Sequence, residues 1–133
     1  MYLLDTNIFL EILLERENIQ DCKKLLEKID SEEVTAIVTS FTLHSIAVIL
    51  ERLKDIQAYK IFLETLININ GLLFYSTNPD DEIKICEICK NLNLDFDDAL
   101  QYFVAKKFNI KIVSFDKHYD EKGIERLTPK DIP

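Results

Sequence analysis

The chain has 133 residues, 47% of them apolar, three cysteines, and a formal charge of −8 from 16 basic and 24 acidic side chains. That length predicts one domain over 1–133 with a real core, and the odd cysteine count argues against a secreted disulfide framework. No apolar run suits a membrane span and no basic segment precedes one, so cytoplasm is the expected location and no membrane is an expected partner. The charge argues against a general nucleic-acid binder with a basic face, but it suits carboxylates that hold a divalent metal.

In chain order, "YLLD" predicts a strand over 2–5, followed by helices near 7–15 and 18–30. "VTAIVTS" predicts a β-branched strand over 34–40, with helices near 42–53 and 55–68 after it. "LLFYS" is a third strand over 72–76. Pro79 with Asp80, Asp81 and Glu82 opens a helix that runs to about 91. Another helix covers 98–108, "IKIVSF" is a strand over 110–115, and "IERL" makes a short edge strand over 124–127. Strands alternating with helices imply an α/β fold whose mostly parallel sheet is covered on both faces.

Several residues carry two readings. Cys86 and Cys89 form a C-x-x-C beside Ile85 and Ile88 on one helix, which favours core packing over zinc or redox work. His44 adjoins an apolar helical face and is expected to be partly buried and hydrogen-bonded. His118 reads as loop surface, with a place near RNA as the alternative, and Asp120 and Glu121 read as solvated. Lys106, Lys107, Lys111 and Lys117 gather late in the chain, where they either contact phosphate or complement helix dipoles. The helices at 42–53 and 55–68 carry apolar stripes wider than a core needs, so the remainder is expected to dimerise or to receive a partner helix.

In parallel sheets the functional crevice lies beyond the carboxyl ends of the strands. Asp5 ends the first strand, Asp116 follows the fourth, and Asp97 and Asp98 open the helix leading into it. Capping or a turn explains each acid singly, but capping does not require all of them to meet. Clustered carboxylates repel unless a hard cation such as Mg²⁺ or Mn²⁺ neutralises them, and such a site suits phosphodiester hydrolysis. Asn7 and Ser114 would complete its polar rim. A receiver-like phosphoacceptor fails because no acid ends "LLFYS", and a D-x-D phosphatase fails at Asn7. Nucleotide folds with glycine-rich loops fail because Gly71 and Gly123 are the only glycines.

"YLLDTNIFLE", "VTSFTLHSIAVIL" and "LDFDDALQYFVAKKFNIKIVSFDKHYD", in that order, resemble the PIN-domain nucleases, including VapC-like toxins of type II toxin–antitoxin pairs. The resemblance spans nearly the whole chain. It implies a three-layer α/β/α fold, Mg²⁺- or Mn²⁺-dependent ribonuclease activity on an RNA substrate, and an antitoxin protein as partner; a homodimer is expected by default, as the commonest closed assembly. It matches the catalytic, metal-holding acids to Asp5, Asp98 and Asp116, with Ser114 at the hydroxyl position and Asn7 after the first acid. One position departs: Ser45 stands where the pattern carries a glutamate. The missing carboxylate weakens metal affinity, or Asp97 takes over its work, or the chain is a degenerate PIN module that binds RNA or a protein partner with little or no cleavage.

Overall fold

The computed structural model describes residues 1–133. Its elements run β1 (Tyr2–Leu4), α1 (Thr6–Leu13), α2 (Ile19–Asp30), β2 (Ala36–Thr39), α3 (Ser40–Arg52), α4 (Ile56–Leu66) and β3 (Leu72–Tyr75). Then follow α5 (Pro79–Leu92), α6 (Phe96–Phe108), β4 (Lys111–Val113) and β5 (Arg126–Leu127), with short 3₁₀ turns at Lys117–Tyr119 and Pro129–Asp131. Local chemistry sets the helix ends. Asn78 and Asp81 form a reciprocal capping box around Pro79 at the start of α5. α5 and α6 both stop at an asparagine in the left-handed region, Asn93 and Asn109, each with φ of 52°.

The five strands are parallel and lie in the order β3-β2-β1-β4-β5. Side chains alternate between faces along each strand. Leu4, Val38 and Val113 point into a core with α1 to α4, while Leu3, Ile37 and Ile112 pack on α5 and α6. Three layers result. Leu3 and Leu4 are wholly buried on opposite faces, each contributing about 1.5–3 kcal/mol by area removed from water. A one-residue slip would exchange those faces and expose the core set.

The sequence pattern ran slightly long or short at several ends. β1 stops at Leu4, and Asp5 turns out of the strand to become the N-cap of α1. α6 begins at Phe96 rather than Asp98, because extended Asp95 offers its carbonyl to the Ala99 N–H at 2.8 Å. Cys86 departs from the core expectation. The inward stripe of α5 runs Asp81, Ile85, Ile88, Cys89 and Leu92, leaving Cys86 exposed and Cys89 half-buried. His44 also departs: it is exposed on α3 and makes no hydrogen bond, because Thr42, Ile46 and Leu50 take the inward face. Asp120 is not merely solvated, since Arg126 grips it through Nε at 2.8 Å and Nη2 at 3.2 Å. No helix is long and apolar enough to cross a membrane.

Candidate functional site

The chain winds outward from β1 through β2 to β3, then returns to place β4 on the other side of β1. That reversal leaves a crevice between the carboxyl ends of β1 and β4, the position where α/β sheets hold ligands. Asp5 follows β1 and Ser114 follows β4, so the register that pairs Leu4 with Val113 also sets these two side by side. The Ser114 hydroxyl donates to Asp5 Oδ2 at 2.6 Å and accepts from the Asp116 backbone N–H at 2.9 Å. Asn7 Nδ2 donates to Ser114 Oγ at 3.2 Å and to Asp5 Oδ2 at 3.4 Å. One serine therefore fixes two of the three acids, and one asparagine clamps the pair from α1.

Asp98 reaches the same crevice from the first turn of α6. It accepts from the Tyr119 hydroxyl at Oδ1, 3.2 Å away. His118 Nδ1 sits 3.4 Å from Asp98 Oδ2 and 3.1 Å from Asp116 Oδ1, linking the second and third acids. Asp116 also caps the 3₁₀ turn by accepting from the His118 backbone N–H at 2.8 Å. Asp5, Asp98, Asp116, Ser114 and Asn7 thus belong to one connected network.

Two of the sequence candidates stand at its margin. Asp97 is exposed, and its Oδ1 accepts from the Asp98 backbone N–H at 3.0 Å. It shares an acidic surface group with Asp95 and Asp98 rather than with Asp116. Ser45 lies half-buried on α3, one turn beyond Thr42, and takes no part in the network.

Sequence reading missed four participants. Gln101 is almost wholly buried and donates from Nε2 to Thr42 Oγ1 at 2.7 Å and to Asp5 Oδ1 at 3.5 Å. Thr42 in turn meets Thr6 Oγ1 at 2.9 Å. Tyr119 is completely buried, and His118, read as loop surface, faces two acids. Only His118 carried a signal, being two residues beyond Asp116. The others meet their partners across separations of 21 to 96 residues, which no local pattern reports.

The electrostatics are those of charges held together against their preference. Burial pushes Asp5 up from 3.8 to about 6, and the Asp98 and Asp116 charges add to the rise while Ser114 and the Thr6 N–H oppose it. Asp98 is also raised, first by burial and then by Asp97 and Asp116. The Tyr119 hydroxyl is pushed far up by its burial and by the surrounding acids, which keeps it a donor.

The donor set fits a hard cation. Ligand atoms of Asp98, Asp116 and His118 lie within 4.8 Å of one another, a set of two carboxylates and one imidazole that leaves Asp5 outside it; carboxylate oxygens suit Mg²⁺ or Mn²⁺. Gln101 Oε1 is a buried acceptor with no protein donor, left beside Asp5 by its own Nε2. An unpaired buried oxygen is costly unless a water or ligand shell supplies the missing proton.

The fold is shared with known proteins. A family model described as PIN domain matches residues 2–125. The VapC20 toxin of Mycobacterium tuberculosis, described as cleaving the sarcin-ricin loop, superposes with a TM-score of 0.79 at 16% identity, covering 97% of this chain and 100% of its own. VapBC2 of Rickettsia felis, solved on a DNA fragment from its promoter, gives 0.75 at 15% identity over 96% and 97%. A toxin–antitoxin complex from Klebsiella pneumoniae gives 0.71 at 16% identity over 99% and 100%. The sequence matches no curated protein. At such identities the likeness is one of fold.

Proposed function

The chain belongs to the PIN domain family, and from that membership together with the carboxylate crevice we propose that it is a metal-dependent endoribonuclease that hydrolyses RNA phosphodiester bonds. PIN domains are generally nucleases. The observation that carries the reading is the network joining Asp5, Asp98 and Asp116 through Ser114 and His118 at the switch point of the sheet. Nothing in capping or packing calls for three acids to share one crevice.

In this reading Asp5, Asp98 and Asp116 hold Mg²⁺ or Mn²⁺. The cation would supply positive charge that eases deprotonation of an attacking water and offsets the negative charge developing on the phosphodiester oxygens. The protein's part is positional. Ser114 and Asn7 orient Asp5, while the Ser114 oxygen receives the Asp116 backbone. Tyr119 steadies Asp98 from the buried side, and the free Gln101 Oε1 offers an acceptor to a bound water. Partners that orient ligands commonly matter by about 10–100-fold, so Ser114→Ala should lower cleavage by roughly that factor.

The test is cleavage of a mixed RNA pool in Mn²⁺. Asp5→Asn and Asp98→Asn should each remove nearly all activity, since ligand charge disappears while shape is kept. Cleavage equal in wild type and Asp98→Asn would sink the assignment. A second reading has one observation in its favour: Ser45 brings no carboxylate to the crevice from α3. If the site is weakened there, Ser45→Glu should raise cleavage; if Asp97 compensates, Ser45→Glu should do little and Asp97→Asn should hurt. A chain that binds RNA but cuts in none of these forms is a degenerate binding module.

The toxin role and its partner extend the proposal. Phe9, Leu13, Leu26, Ile61, Phe62 and Leu66 line an almost wholly apolar groove of about 310 Å³ between α1, α2 and α4. An antitoxin helix laid into it would bury those side chains, in keeping with the toxin–antitoxin complexes among the similar structures. Val48, Leu53 and Ile56 stay about half exposed near the junction of α3 and α4, and they are the surface on which a homodimer would form. Sedimentation of wild type against Val48→Glu tests that contact.

A further inference from the structure

We propose that His118 is a direct ligand of the crevice cation, binding through Nδ1 beside Asp98 and Asp116, and that this nitrogen makes the site select a first-row transition ion over Mg²⁺. The inference rests on the metal-dependent reading above and adds a side chain to its ligand set. Nδ1 lies 3.4 Å from Asp98 Oδ2 and 3.1 Å from Asp116 Oδ1. Adjacent ligands held about 2.1 Å from an octahedral cation are about 3.0 Å apart. Both nitrogen–oxygen pairs therefore stand near the spacing of neighbours on one ion.

One 3₁₀ turn, Lys117–Tyr119, sets this geometry. Asp116 caps it by accepting from the His118 backbone N–H at 2.8 Å, which fixes the imidazole beside that acid. Tyr119, the next residue, donates to Asp98 Oδ1 at 3.2 Å and leaves Oδ2 to face His118. The ring meets protein only through Nδ1, and the side chain is 72% exposed. Nε2 can thus keep its proton in solvent while Nδ1 presents a lone pair to the acids' cation. Gln101 Oε1 points independently to a hydrated ion in the crevice. It is buried without a donor, on an amide whose Nε2 bonds Thr42 at 2.7 Å and Asp5 at 3.5 Å. Water carried by a cation supplies the proton that no protein group offers there.

Ligand chemistry then decides the cation. Mg²⁺ takes oxygen ligands and gives up its waters reluctantly. Imidazole suits transition ions far better, and affinity within that row rises from Mn²⁺ onward. Mn²⁺ therefore shows the smallest preference of the row, and the test is set there. A neutral ring also adds a lone pair without adding to the negative charge that Asp98 and Asp116 already share.

The chain has only two histidines, so a nitrogen on the ion can be assigned directly. The full chain is stripped with EDTA, loaded with Mn²⁺ alone, and read by pulsed EPR for the nitrogen modulation of a bound imidazole. Modulation should appear in wild type and in His44→Gln, whose ring is exposed on α3, and vanish in His118→Ala. Titration of the free Mn²⁺ signal gives Kd, and competition gives that of Mg²⁺. Losing a partner that only orients a ligand costs about 10–100-fold, so His118→Ala should weaken Mn²⁺ by at least about tenfold. Mg²⁺ should change by less than about twofold. Wild type that binds Mn²⁺ without nitrogen modulation would overturn the proposal and leave the metal site standing. So would modulation that survives in His118→Ala, or tighter Mn²⁺ binding by that variant, since the ring would then fill the cation's place. Equal losses of Mn²⁺ and Mg²⁺ would overturn the preference. Wild type that binds neither ion would overturn this inference and the metal-dependent reading together.

Discussion

Replacing Asp5 with asparagine should make the metal-free protein more stable at neutral pH while destroying its activity. Asp5 is only 7% exposed, and its folded-state value lies near 6 against an ordinary 3.8, chiefly through burial, with Asp98 and Asp116 adding to it. Between those two values the native state keeps a proton that the unfolded chain has lost. Stability from this group is therefore complete below 3.8 and falls as pH rises toward 6, by about 3 kcal/mol in all. Asparagine carries no charge and escapes that loss. It gives up part of the hydrogen bonding with Ser114 and the Thr6 N–H, a cost of about 1 kcal/mol. The variant should thus gain about 2 kcal/mol at pH 7 and lose about 1 kcal/mol near pH 4, as a difference between these two terms. Urea unfolding in EDTA at pH 4, 5, 6 and 7 reads both. A difference between variant and wild type that does not change with pH, or a weaker variant at pH 7, would refute the reasoning.

Three further outcomes follow from the same structure. Millimolar Mn²⁺ should raise the Tm of wild type, since a ligand at a hundredfold excess over its Kd adds about 2.7 kcal/mol, and Asp116→Asn should remove that gain in thermal melts. Gly71→Ala should destabilise the fold, because a Cβ there runs into the backbone carbonyl of Ile29, which already accepts the Gly71 N–H at 3.1 Å; a melt at or above the wild-type temperature would count against it. Asn78→Ala, which opens the capping box of α5, should cost about 1 kcal/mol in urea unfolding with no change in metal response, separating α5 from the crevice.

The alternation of "YLLD", "VTAIVTS", "LLFYS" and "KIVSF" with amphipathic helices already dictates a covered parallel sheet, because only crossover helices join parallel strands. From that topology the strand-end positions of Asp5 and Asp116, and the helix-start position of Asp98, follow directly. The sequence also carries the local chemistry of Pro79 and Asp81 at the head of α5. It misjudged Cys86 and His44, where a small angular error on a helix separates an inward side chain from an exposed one. The order β3-β2-β1-β4-β5 was not legible, and that order alone sets Ser114 beside Asp5 and opens the crevice between β1 and β4. Nor were Gln101, Thr42 and Tyr119, which touch the acids or each other only after α3, α6 and the 117–119 turn have docked. A periodic pattern records which side of its own element a residue faces. It holds no information on which other element will be opposite, and that pairing is what raises Asp5 and leaves Gln101 Oε1 without a donor.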